Sequence, residues 1–187
     1  KTLMSATYDT NHNIVSLTNA SGGTSTMTYD GKGLLQSLVN PLGETTTYGR
    51  TATGNLASIQ EPLSKTTTFS YDSAERLASA TDSEGYTVQV AHDAGDRPTQ
   101  ATYPDGTTDQ LTYSRLDVVQ TKDRLGRLTQ MSRDSLGRLL ALTDANGGVT
   151  SLGYGLEDGP NSLTDPNGNQ TQFSYDLQQR MVAKQLP

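Results

Sequence analysis

The chain has 187 residues, a formal net charge of -6 and a pI near 4.8, with its cations scattered, which argues against nucleic acid because phosphate binding needs clustered Lys and Arg. Leu, Ile, Val and Phe number 34, below a fifth of the residues, and mean hydropathy is -0.59, too little aliphatic surface for a conventional globule of this length. Without cysteine there is no disulfide or thiolate-metal chemistry, and no apolar run approaches the length of a membrane span.

Order comes from repetition. Tyr-Asp occurs at Tyr8-Asp9, Tyr29-Asp30, Tyr71-Asp72 and Tyr175-Asp176. A period of about 21 residues fits these positions, with repeat starts at 8, 29, 50, 71, 92, 113, 133, 154 and 175 and one 20-residue step from 113 to 133. The other starts carry degenerate forms: Arg50-Thr51, His92-Asp93, Tyr113-Ser114, Arg133-Asp134 and Tyr154-Gly155. Fourteen residues past the start stand Gly22, Gly43, Gly85, Gly106, Gly147 and Gly168; Ser64 breaks this column and the short step shifts Gly126. Six past the start is apolar (Ile14, Leu35, Leu56, Leu77, Val119, Leu139, Met181), except for Pro98 and Pro160. Two before it lie Met27, Tyr48, Phe69, Val90, Leu111, Met131, Leu152 and Phe173. A disordered chain has no reason to space its aromatic residues this way.

Each repeat reads as two short strands and two turns. The Thr-rich stretch before each start alternates apolar with polar, so Phe69 and Tyr71 share one face of a strand. Asp-x-x-Gly follows, as in Asp30 to Gly33 and Asp134 to Gly137. Aspartate can bond its own backbone two residues on and glycine accepts positive φ, which predicts a hairpin turn. A second strand such as 138–143 ends in Thr-Asp-x-x-Gly or a proline form, Asn40-Pro-Leu-Gly43 or Asp165-Pro-Asn-Gly168. The expectation is all-β: tandem β-hairpin repeats forming a curled, spiralling antiparallel sheet, a shell or barrel segment, with roughly 17 strands spanning about 80 Å, one modestly apolar face and one wet face. Residues 1–187 then form one hairpin array, read as a fragment of a larger protein.

The succession Tyr-Asp-x-x-Gly-Arg-Leu, Thr-Asp-x-x-Gly and Thr-x-Phe-x-Tyr-Asp resembles the RHS/YD repeat over essentially the whole chain. It is clearest from Asp134 to Leu139 with Thr143, Asp144 and Gly147, and from Tyr71-Asp72 to Thr81, Asp82 and Gly85. The family includes bacterial Rhs polymorphic toxins of interbacterial competition, the C component of Tc toxins and the teneurins. The resemblance implies a wall section of a hollow β-shell. Its partners would be the remaining repeats and an encapsulated C-terminal toxin domain of the same parent, and its setting secreted or delivered by a bacterial secretion system. Arg50, His92 and Arg133 depart from the motif tyrosine, which predicts an imperfect internal ladder at those three places.

Other chemistry is thinly supported. His12 and His92 lack partners at metal-ligand spacing. The Asp column (Asp9, Asp30, Asp72, Asp93, Asp134, Asp176) places one carboxylate per turn, whereas calcium needs six or more converging oxygens. Asp165-Pro166-Asn167-Gly168 resembles the start of the family's autoproteolysis segment, but Asn169 stands where its leucine would be and the stretch falls in the repeat's own turn frame. Ser21-Gly22-Gly23 and Gly147-Gly148 lack the Lys and helix of a phosphate loop. Tyr86 and Tyr103 lie outside the repeat columns, where they could stack on sugars. The expected function is structural, with no catalytic residue, cofactor or metal. An extracellular adhesion or carbohydrate-binding scaffold is the alternative, which glycan-array binding by the segment would favour. Raw strand edges are expected to drive self-association.

Overall fold

A computed structural model describes residues 4–156 and 159–187. The strands fall into two compact units, Lys1–Val90 and Ala91–Pro187. Unit one holds β1 Ser5–Tyr8, β2 Ile14–Thr18, β3 Thr24–Tyr29, β4 Leu35–Val39, β5 Thr45–Arg50, β6 Leu56–Gln60, β7 Thr66–Tyr71, β8 Leu77–Thr81 and most of β9 Thr87–His92. Unit two holds β10 Pro98–Thr102, β11 Thr108–Ser114, β12 Asp117–Lys122, β13 Leu128–Arg133, β14 Leu139–Thr143, β15 Val149–Tyr154, β16 Pro160–Thr164, β17 Gln170–Tyr175 and β18 Met181–Gln185. From β1 to β9 and again from β10 to β18, each strand pairs antiparallel with the next. The expected all-β hairpin meander is the observed fold. The described residues form eighteen strands against the expected 17, because the last partial repeat completes its second strand at Met181–Gln185. The one helical element among them is a 3-10 turn at Pro62–Ser64. Pro98 and Pro160 each open a strand, where a missing N–H costs least.

Most of the turns share one geometry. At Asp30 the Gly33 N–H donates to the Asp30 carbonyl at 2.9 Å, and the Asp30 N–H donates to the Leu34 carbonyl at 2.9 Å. Gly33 takes φ 78, so this is a three-residue hairpin loop whose third residue is left-handed. Where the glycine is missing the position stays left-handed: Glu75 sits at φ 64 and Gln179 at 62, and Ser64 at 61 follows a second left-handed residue, Leu63 at 65. The column is therefore one of backbone conformation first and of glycine second.

The short step is absorbed in one turn. Ser114 pairs with Asp117, leaving the two-residue loop Arg115-Leu116. Tyr113 consequently faces Val118, as Tyr29 faces Leu35 and Tyr71 faces Leu77. The apolar column thus runs through Val118, a correction to the sequence reading of Val119, which takes the bulge position held elsewhere by Gln36.

The register sorts the two faces. Met27 pairs with Leu38, Tyr48 with Ile59, Phe69 with Ala80, Met131 with Leu142 and Leu152 with Leu163. On the reverse face Thr28 meets Ser37, hydroxyl to hydroxyl at 2.6 Å, and Ser70 meets Ser79 at 2.7 Å. The apolar rows are partly buried while Thr26, Thr28 and Ser70 are exposed, the expected division into one modestly apolar face and one wet face. Among the described residues none is fully buried, whether apolar or polar. Each unit is a sheet one layer thick.

Candidate functional site

The repeated chemistry lies where each Asp turn meets the next tyrosine. In the turn at Asp134, one carboxylate oxygen accepts the N–H groups of Leu136 and Arg138, both at 2.9 Å. Its other oxygen accepts the Arg138 Nε–H at 2.8 Å. Asp72–Arg76, Asp93–Arg97, Asp123–Arg127 and Asp176–Arg180 repeat this ion pair four residues apart. The bonds hold the acids in their charged form. Asp72 falls to about 2, chiefly through the Arg76 side-chain hydrogen bond. Asp9, through Asn13, and Asp93, Asp134 and Asp176, through their arginines, are lowered as well. Asp30, which lacks such a side-chain partner, is lowered first by the Leu34 backbone N–H.

The tyrosine reaches back across its strand pair. Tyr29 donates its hydroxyl to the Ile14 carbonyl at 2.8 Å. Tyr71 donates to Leu56, Tyr113 to Pro98, Tyr154 to Leu139 and Tyr175 to Pro160, each at 2.9 Å and fifteen residues back. The arginine of the preceding turn covers the ring in two cases: Arg97 lies 4.3 Å from the Tyr113 centroid and Arg138 lies 4.4 Å from that of Tyr154. Asp, Arg and Tyr thus link one hairpin to the next without a thick core.

The departures modify this ladder. Arg133 directs Nε towards Asp117 at 3.5 Å and donates from Nη1 to the Gly137 carbonyl at 3.0 Å, so an ion pair stands where a cation–π contact stands at Arg97 and Tyr113. A cleft of about 440 Å³ opens there, lined by Arg115, Asp117, Met131, Arg133 and Asp134. Asp134 is already committed to its turn and to Arg138, which leaves it poorly placed as a base. Arg50 borders a second, smaller cleft with Asp30 and Tyr48. His92 ends β9 in the tyrosine slot, and His12 occupies the left-handed turn position at φ 67.

The remaining candidates resolve into turns. Gly22, Gly43, Gly85, Gly106, Gly147 and Gly168 are all left-handed. Asp165 accepts the N–H groups of Asn167 and Asn169 at 2.9 Å and the Asn169 amide at 2.8 Å, so the Asp-Pro-Asn-Gly stretch is closed as a turn. Among the described residues no three His, Cys, Asp or Glu side chains converge as metal ligands would. Tyr86 is 44% exposed. Tyr103 is engaged internally, its hydroxyl donating to Asp109 at 2.7 Å and its ring 4.0 Å below Arg124. Arg124 in turn binds Asp105 at 2.7 Å, and Asp105 is lowered to about 2, first by the Thr107 hydroxyl.

Sequence reading missed one apolar column, nine residues past the start: Leu17, Leu38, Ile59, Leu142 and Leu163. It supplies the cross-strand partners of the Met27 row, and its spacing was available as a signal.

The family model described as teneurin YD-shell matches residues 1–122. The chain belongs to the teneurin YD-shell family. A second model, RHS repeat, matches residues 113–149 of this YD-shell chain. Among solved structures, the YD-shell resembles the TcdB2-TccC3 crystal structure without the hypervariable C-terminal region, with a TM-score of 0.63 and 14% identity over 97% of this chain and 13% of that one. A Photorhabdus luminescens Tc holotoxin pore carrying a TccC3 mutation is similar at a TM-score of 0.54 and 14% identity, over 98% of this chain and 14% of that one. At this identity the likeness is one of fold, and the YD-shell chain spans about an eighth of the length of these structural relatives. No curated protein matches the chain.

Proposed function

We propose that this chain is a wall segment of an RHS/YD shell whose parent encloses a C-terminal toxin or effector domain for delivery outside the producing cell. One observation carries the reading: the hairpins join through the Asp–Arg–Tyr ladder while no described residue is fully buried, so the structure is built as a thin layer and not as a globule. Family membership and the fold likeness to Tc toxin structures support it. The segment itself is non-enzymatic in this reading, because its aspartates are engaged in turn capping and ion pairs. The other repeats and the enclosed domain of the parent are its partners. The sugar-binding alternative loses its aromatic pair, since Tyr103 is held by Asp109 and Arg124.

Limited proteolysis of the full-length parent tests the proposal. In the intact parent a downstream domain should resist protease; removal of one hairpin repeat, residues 133–153, should open the wall and expose it. Equal cleavage of that domain in both proteins would overturn the reading.

A further inference from the structure

The hairpins of each unit are joined to one another unevenly. Each junction between successive hairpins has three register pairs: β2–β3, β4–β5, β6–β7 and β8–β9 in unit one, β10–β11, β12–β13, β14–β15 and β16–β17 in unit two. With the backbone ladders equal, side chains decide which junctions are tied. Tyr29, Tyr71, Tyr113, Tyr154 and Tyr175 place their hydroxyl bonds across β2–β3, β6–β7, β10–β11, β14–β15 and β16–β17. At β8–β9 the Thr81 and Thr87 hydroxyls bond at 2.8 Å. Among the described residues no side-chain hydrogen bond joins the strands of β4–β5 or of β12–β13.

Both untied junctions carry an arginine in the tyrosine slot. Arg50 is exposed and borders a cleft of about 220 Å³ with Asp30 and with Leu35, the counterpart of Ile14 and Leu56, whose carbonyls Tyr29 and Tyr71 bond. Arg133 spends Nη1 on the Gly137 carbonyl of its own turn. Its Nε lies 3.5 Å from Asp117, out of reach of solvent and without a hydrogen bond. The strands of β12–β13 are therefore held by an ion pair whose side chains are 28% and 44% exposed. A cleft of about 470 Å³ also borders the bonded Tyr175, so the missing bond, and not the open volume, sets these two junctions apart. We infer that β4–β5 and β12–β13 are seams, one in each unit, at which neighbouring hairpins separate and bend before the tied junctions do. In a sheet with no fully buried residue among those described, no core stands behind a junction to make up for the bond it lacks. The seams differ in control. Salt screens the pair of Arg133 with Asp117 and so loosens β12–β13, whereas β4–β5 has no ion pair to lose. The inference concerns the sheet itself and is independent of the shell-wall reading; within a shell, the seams are the lines along which the wall flexes.

Native-state hydrogen exchange on the whole 187-residue chain tests it, each seam being compared with a tied junction of its own unit. The matched segments are 37–47 against 58–68 in unit one and 120–130 against 141–151 in unit two. Amides of the seams should exchange about fivefold faster, the effect of one hydrogen bond of ordinary net strength on a local opening equilibrium. Arg50→Tyr supplies the missing hydroxyl and should slow exchange at β4–β5 by about fivefold while leaving β12–β13 as it was. Tyr71→Phe is the converse and should bring β6–β7 to the rate of β4–β5. An unchanged β-sheet circular dichroism spectrum identifies a folded variant. Raising sodium chloride from about 0.05 M to about 0.5 M should speed exchange at β12–β13 about twofold relative to β14–β15 and leave β4–β5 unchanged relative to β6–β7. Equal protection of seams and tied junctions, a folded Arg50→Tyr chain with no slowing at β4–β5, a folded Tyr71→Phe chain with β6–β7 still protected, or the same salt response at both seams would each overturn the inference.

Discussion

The Tyr71 hydroxyl donates to the carbonyl of Leu56 at 2.9 Å, from a strand end to the start of the neighbouring strand fifteen residues earlier. The bond ties this hairpin to its predecessor at a point where the bulge has interrupted the regular ladder. Tyr71→Phe keeps the ring and removes the bond. It should cost about 1 kcal/mol, read as a fall of about 2–4 °C in Tm for a chain of this size. The same substitution at Tyr86, which lies outside the ladder, should leave Tm unchanged.

Asp72 performs two tasks that substitution can separate. One oxygen caps the N–H groups of Ala74 and Arg76, and the other holds the Arg76 guanidinium. Asp72→Asn retains a capping oxygen and loses the ion pair; Asp72→Ala loses both. Urea midpoints should fall in the order wild type, Asn variant, Ala variant. Raising the salt concentration should narrow the gap between wild type and the Asn variant, because an ion pair at a partly exposed site is screened.

Ser64 occupies the left-handed position where most repeats carry glycine. An L side chain there costs about 1–2 kcal/mol, of which glycine's greater chain entropy returns about 0.5–1 kcal/mol. Ser64→Gly should therefore stabilise unit one by up to about 1 kcal/mol. Gly147→Ala, at φ 84, should destabilise unit two by about 1 kcal/mol or more. Thermal denaturation of both variants checks the opposite signs.

Acid should loosen the sheet within a defined window. Among the described residues nine aspartates are held below the ordinary value of 3.8, with Asp72 and Asp105 at about 2. Folded-state values below the unfolded value mean that these groups contribute stability above about pH 4, and that it is lost as pH falls through the folded values towards 2. Denaturation midpoints should be nearly flat from pH 7 to pH 5 and fall steeply below pH 4. Asp72→Ala with Asp105→Ala should flatten that lower slope; an unchanged slope would assign the acid sensitivity to other groups.

The sequence by itself determined what is local. The 21-residue period, the Asp-capped turns and the alternation of Phe69 with Ser70 and Tyr71 follow from the dihedral preferences of Asp and Gly and from the period-two geometry of a strand, all acting within about five residues. The columns at Tyr29 and Met27 were legible for the same reason. Where those columns point was decided only by the tertiary structure, because register is a property of strand pairs. The hydroxyls of Tyr29, Tyr71, Tyr113, Tyr154 and Tyr175, each beside a bulge, reach a carbonyl fifteen residues back, the two-residue loop at Arg115-Leu116 moves the apolar partner from Val119 to Val118, and Tyr103 finds Asp109 on the next strand and Arg124 in a later turn.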